Sequence, residues 1–221
     1  MGCGCKCSSP GMMIGVMVAA GAVIATAVSV GGWGEKPEPA NVGVTGLVQP
    51  EGFEMDPVMA AWIEAGTPDE HHALLEAFVG EWTTHAVFQM TPEAPPMEST
   101  GSDVSEMIFD GRYLVSHVRG DMMGMPFQGR SVMGYDKVQK KFVGMWIDSM
   151  STMIFTNSGQ YDPASRTFTM TSTYTDPMGD KKRSKHVTTI LSSSERTLEF
   201  YEADAESNEW HKTGTITYTR K

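Results

Sequence analysis

The chain is 221 residues long, 40% hydrophobic and 20% charged, with a net charge of −10 and an isoelectric point near 5.0. Eight acidic side chains fall within residues 34–70 against Lys36 alone, so the rest of the chain is close to neutral. A domain without a basic face has no electrostatic footprint for a phosphate backbone, which argues against nucleic acid as a partner.

The N-terminal part is not globular in composition. Residues 12–30 (MMIGVMVAAGAVIATAVSV) are uniformly apolar; at 1.5 Å per residue such a run approaches the roughly 30 Å core of a bilayer. Residues 1–33 therefore read as a signal peptide or a signal anchor. Ala25-Thr26-Ala27 is an A-x-A cleavage motif, which favours removal, while a run longer than the usual h-region of about 7 to 15 residues favours retention. Lys6 precedes the run and Glu35 and Glu38 follow it. This bias keeps the N-terminus cytoplasmic and places the remainder outside, either membrane-anchored or exported to the periplasm after cleavage at Ala27. Cys3, Cys5 and Cys7 all precede the run, so no disulfide framework follows from them. Their C-x-C-x-C spacing lacks a fourth ligand for a metal and suits palmitoylation beside a membrane. Residues 34–66, acidic and containing Pro37, Pro39 and Pro50, read as a linker that carries a short helix.

That helix is signalled by Asp56-Pro57, an N-cap followed by proline at the first helical position, and should end at Gly66. Thr67-x-x-Glu70 has the spacing of a capping box for a second helix. Its apolar side, with Leu74, Leu75 and Phe78, should pack against one end of a barrel, the helix and barrel together making a domain of residues 67–221. From Trp82 onward the period becomes two. Strands are expected at residues 81–90, 101–109, 112–119, 127–135, 141–149, 153–161, 166–175, 183–192, 196–203 and 209–219. Ten short strands with turns between them and no intervening helix predict an all-β, antiparallel up-and-down barrel of lipocalin-like type. Tyr135-Asp136 with Lys140 and Phe142, and Tyr161-Asp162 with Arg166 and Phe168, repeat one hairpin pattern in which the aspartate caps its own turn.

Alternation assigns faces. Trp82 shares a side with Ala86, Phe88 and Met90. In the last strand Trp210, Gly214, Ile216, Tyr218 and Arg220 share the side opposite a row of threonines. Gly80, Trp82 and Arg220 are thus expected to close the barrel base, the guanidinium lying over the indole. Apolar positions available to a lumen are Phe88, Met107, Trp146, Phe168, Met170, Tyr174 and Trp210. Asp148 falls on the face of Trp146 and Phe142, where a carboxylate needs a partner, a ligand or a place at a wet rim. Met122-Met123-Gly124-Met125-Pro126 reads as an adaptable apolar loop that could act as a lid. His117, on the face of Tyr113 and Val115, is the best placed histidine for haem; His85 and His211 should be exposed, and His72 with Glu76 does not make a zinc site. No His-Glu-x-x-His, Gly-x-Ser-x-Gly or phosphate-binding glycine loop occurs, so no catalytic or metal-binding residue is assigned. Trp146, Asp148, Tyr113, His117, Phe88 and Met125 are the ligand-binding candidates.

Residues 71–221 resemble the uncharacterised, mainly bacterial family catalogued as domain of unknown function 1579. The resemblance is carried by HALLEAFVGEW (His72 to Trp82), Phe109-Asp110-Gly111-Arg112-Tyr113-Leu114, Met123-Gly124-Met125-Pro126-Phe127-Gln128-Gly129, Gly134-Tyr135-Asp136, Trp146-Ile147-Asp148-Ser149-Met150 and Tyr218-Thr219-Arg220. It implies a calycin-type barrel and, by analogy alone, ligand carriage; the family brings no established activity. The expectation is a barrel that binds a small apolar ligand without catalysis. The alternatives are a cell-envelope interaction domain with a solid core and a haem-binding barrel.

Overall fold

The computed structural model describes residues 55–89, 95–122, 124–204 and 207–221. The apolar run at 12–30, the three cysteines, the linker as far as residue 54, Met90 and Met123 lie outside the described residues. Among the described residues no helix is long and apolar enough to cross a membrane.

Helix α1 spans Pro57–Gly66. Asp56 Oδ1 accepts from the Val58 and Met59 N–H groups, at 2.8 and 3.3 Å, and Pro57 fills the position where a missing N–H is harmless. None of its residues is buried, and Trp62 is 73% exposed. The helix is held by its C-terminal end: Lys137 Nζ donates to the carbonyls of Glu64 and Thr67, and Arg112 Nε to that of Gly66.

Helix α2 (Glu70–Ala73) continues into a 3-10 turn at Leu74–Phe78. The capping box expected from Thr67 and Glu70 does not form. The Thr67 hydroxyl donates to the Ile63 carbonyl at 2.7 Å and so closes α1. Asp69 is the N-cap instead, accepting from the His71 N–H at 3.0 Å, while His72 Nδ1 accepts from the Asp69 N–H at 3.1 Å. The Thr67 hydroxyl is turned back along α1, and the adjacent Asp69 carboxylate supplies the acceptor at the start of α2.

Ten strands follow: β1 (Gly80–Phe88), β2 (Met97–Ile108), β3 (Tyr113–Met122), β4 (Met125–Asp136), β5 (Lys141–Asp148), β6 (Phe155–Asp162), β7 (Thr167–Thr175), β8 (Lys181–Ile190), β9 (Glu195–Ala203) and β10 (Trp210–Arg220). Each pairs antiparallel with its sequence neighbour, and β1 with β10, which closes the barrel. Closure removes the unpaired edges that would otherwise invite aggregation. The repeated hairpins form as read: Asp136 Oδ1 accepts from Val138 N–H and Asp162 Oδ1 from Ala164 N–H, with Lys140 and Arg166 both at φ 53.

The base of the barrel is filled. Leu75 and Phe78 insert between Leu114, Phe142, Phe168 and Met170, and Phe78 meets Phe168 edge-on at 5.2 Å. Each such ring or aliphatic side chain removed from water contributes roughly 1.5 to 3 kcal/mol. Trp82 is buried beside them, its Nε1 donating to the Phe78 carbonyl at 2.8 Å. Arg220, its register partner, lies over the indole at 4.2 Å and donates through Nη1 to the Val79 carbonyl at 2.6 Å. Gly80 has φ 126, and any side chain there would run into the Arg220 guanidinium. Only glycine fits that turn and that neighbour together.

Two face assignments fail. A bulge between Lys212 and Gly214 inserts an extra residue into β10, so Trp210 pairs with Ala203 and lies on the outside, beneath Arg183 and Lys185. One added residue reverses every position on one side of it. In β3 the lumen side is Leu114, Ser116 and Val118, so Tyr113, Val115 and His117 face outward.

Candidate functional site

Above the filled base the barrel is hollow. The cavity measures about 540 Å³ and takes side chains from all ten strands. A shallow groove of about 560 Å³ on the outer surface, with Thr156, Thr171, Thr173, Arg183 and Trp210, is polar and open to solvent. The lumen is the site that can desolvate a molecule.

Its floor is a buried ion pair. Arg196 Nη2 donates to Asp103 Oδ2 at 2.8 Å, both side chains being 4% exposed or less. The guanidinium lies 3.7 Å from the centre of the Tyr218 ring, 4.6 Å from Trp82 and 5.0 Å from Phe78. Asp103 Oδ1 accepts from Ser105 Oγ at 3.0 Å, and that hydroxyl shares a 2.7 Å bond with Ser116. Burial raises the Asp103 carboxyl above its ordinary range in spite of the adjacent arginine, and pushes the Tyr218 phenol up to about 12. Arg196 Nε is buried and has no hydrogen-bond partner among the described residues. Neither Arg196 nor Asp103 is singled out by the motifs of the sequence, although Arg196 shares strand parity with Leu198 and Phe200, and Asp103 with Gly101 and Ser105.

Aromatic rings line one side of the middle of the lumen. Phe127 stacks near Trp146 at 6.2 Å, Trp146 is the register partner of Phe155, Phe155 stacks on His186 at 5.4 Å, His186 meets Phe200 at 4.9 Å, and Phe200 meets Phe88 at 5.3 Å. Glycines make room for two of these rings: a side chain at Gly129 would overlap the Trp146 indole, and one at Gly214 the Phe88 ring. The wall on β2 and β3 is different in kind, with Ser99, Thr100, Gly101, Ser116, Val118 and Gly120.

The candidates from sequence divide cleanly. Phe88, Trp146 and Asp148 line the cavity. Asp148 accepts from Trp146 Nε1 and from the Met150 N–H, both at 2.8 Å, so the inward carboxylate is satisfied near the mouth and fixes the indole. Tyr113, 43% exposed, and His117 lie on the outer face, and Met125 is exposed at the β3–β4 hairpin tip; none of the three lines the cavity. A haem reading through His117 therefore loses its ligand.

His186 is the imidazole that faces the lumen, and no motif in the sequence singles it out. The signal was present, since Lys181, Arg183 and Lys185 put odd positions of β8 outside and hence Ser184, His186 and Thr188 inside. Burial lowers its pKa to about 4, so the ring is neutral at physiological pH. The ring lines the cavity. Among the described residues neither ring nitrogen has a hydrogen-bond partner, and no cluster of three or more metal-ligating groups exists.

A family model described as Protein of unknown function (DUF1579) matches residues 67–220. No curated protein matches the chain. Among solved structures the chain is similar to Rv2717c from M. tuberculosis, with a TM-score of 0.50 and 10% identity over 70% of this chain and 99% of that one. It is also similar to the S-type phycobiliprotein lyase CPES from Guillardia theta, with a TM-score of 0.47 and 12% identity over 72% of this chain and 96% of that one.

Proposed function

The chain belongs to the family described as Protein of unknown function (DUF1579), and from the geometry of its barrel we propose that it binds one small, mainly apolar molecule in the lumen without acting on it chemically. The observation that carries the reading is the hollow of about 540 Å³ above a sealed base. This lies within the usual size range of small-molecule sites, about 300 to 1,000 Å³. A solid core would have favoured an interaction domain, but here only the lower half is packed. The hydroxyl–carboxylate contact at the floor, Ser105 to Asp103, is tied into the Arg196 ion pair and the Ser116 hydroxyl and involves no histidine base, which favours binding over catalysis.

The barrel, residues 67–221, is the binding domain in this proposal, and residues 12–30 are its tether, with the barrel on the extracytoplasmic side. Alkaline washing of membranes tests the tether: the anchored form stays in the pellet, and a form cut after Ala27 is released.

Binding is tested by thermal unfolding of the purified chain against a set of apolar compounds. At one hundred times its Kd a ligand adds about 2.7 kcal/mol of stability. The reading expects such a shift in the wild type and its loss in Ser131→Phe, which fills the lumen from β4. A Soret band on the purified protein would restore the haem alternative through His186.

A further inference from the structure

We infer that the lumen is built for an uncharged, planar aromatic molecule whose polar edge is hydrogen-bonded by His186. The inference rests on the ligand-binding reading above and names the class of ligand.

Charge comes first. Five charged residues border the cavity: Asp103, Arg119, Asp121, Asp148 and Arg196. Arg196 is engaged by Asp103 at the floor, and Arg119 is exposed at the mouth. Among the described residues the interior therefore holds no cation without a counter-charge, and an anionic head would be desolvated beside Asp103 or Asp148. For a cation the carboxylates without a counter-charge stand only at the mouth, Asp148 bonded to Trp146 and Asp121 to the Gly124 N–H at 2.7 Å, while Asp103 at the floor is paired with Arg196.

Shape comes second. The rings from Phe127 through Trp146, Phe155, His186 and Phe200 to Phe88 form a continuous arc across β4, β5, β6, β8, β9 and β1. The facing wall carries Gly101, Gly120 and short hydroxyl side chains. An arc of rings facing a thin wall leaves room for a flat body, and offset or edge contacts with aromatic faces reward a ring system over a flexible chain.

His186 comes third. A neutral imidazole is one donor and one acceptor, and here neither has a hydrogen-bond partner among the described residues. A pure hydrocarbon would displace water from both nitrogens and leave them unpaired. A hydroxyl or carbonyl on the ligand edge satisfies one of them.

The test is calorimetric titration of the full-length protein with four probes: 1-naphthol, naphthalene, 1-naphthoate and decan-1-ol. The expected order places 1-naphthol tightest, with 1-naphthoate and decan-1-ol each at least about tenfold weaker. In His186→Phe the affinity for 1-naphthol falls about tenfold while that for naphthalene is kept, which also reports an intact lumen. Decan-1-ol or 1-naphthoate binding as tightly as 1-naphthol, with Ser131→Phe abolishing it, would overturn the ligand class and leave the container. Equal 1-naphthol affinity in wild type and His186→Phe would remove His186 from recognition. No binding of any probe would overturn class and container together.

Discussion

At the residue scale, the lumen stores two costs that the sequence pattern does not advertise. His186 is held neutral, its pKa lowered from 6.5 to about 4 by burial. The unfolded chain therefore takes up a proton there before the folded chain does, so the stability present above pH 6.5 is lost as pH falls toward 4. Over that window the loss is about 3 kcal/mol. Asp103, raised by burial, acts in the opposite sense, and Asp69 and Glu199, lowered, lose their contribution only as pH falls through the carboxylate range. The difference between wild type and His186→Phe in urea unfolding from pH 7 to pH 4 isolates the histidine; equal pH slopes would contradict its burial. The Asp103–Arg196 pair gives a second expectation. Arg196→Met alone leaves a carboxylate buried without its partner and should cost about 3 to 5 kcal/mol, whereas Asp103→Leu with Arg196→Met should recover most of it. A double-mutant cycle by denaturant unfolding decides this, and additive losses would place the pair in contact with water. Both residues were legible only through strand parity, because a charged or imidazole side chain in an alternating strand is read by default as the wet face.

At the element scale, most of the chain could be read in advance. Strand alternation located all ten strands, the largest displacement being the start of β2 at Met97 against an expected 101. Asp56-Pro57 started α1 where it begins, and Trp82 and Arg220 meet at the base. The failures have local causes. The bulge at Lys212 and Gly214 turned Trp210 outward, and no side-chain pattern announces an inserted residue. In β3 the face of Tyr113, Val115 and His117 is the one expected to offer a ligand-binding histidine, but Ser116 on the other face is the residue that bonds inside, to Ser105. Strand packing also sets a prediction for Trp146. Gly129→Ala places a methyl group where the indole lies, so the ring must move and give up Asp148. The indole N–H resonance of Trp146 should shift and stability should fall by about 1 to 3 kcal/mol. An unmoved resonance would mean that β4, not the indole, yields.

At the scale of the whole molecule, the barrel divides into a packed lower half and a hollow upper half, and that division is what a sequence cannot display. Phe88, Phe168 and Met170 all sit on inward positions and border the cavity, yet Phe168 and Met170 also pack into the base with Leu75 and Phe78 while Phe88 does not. Whether an inward ring meets another ring or empty space depends on strand tilt and on the plug supplied by Leu75 and Phe78, neither of which is periodic in sequence. The central claim is that the hollow is a container. Native mass spectrometry of the purified chain, wild type beside Ser131→Phe, tests it most directly. A single small molecule is expected on the wild type, directly or after incubation with a cell extract, and a bare mass for the variant under the same conditions. A bare mass for both, or an equal adduct on both, would contradict it.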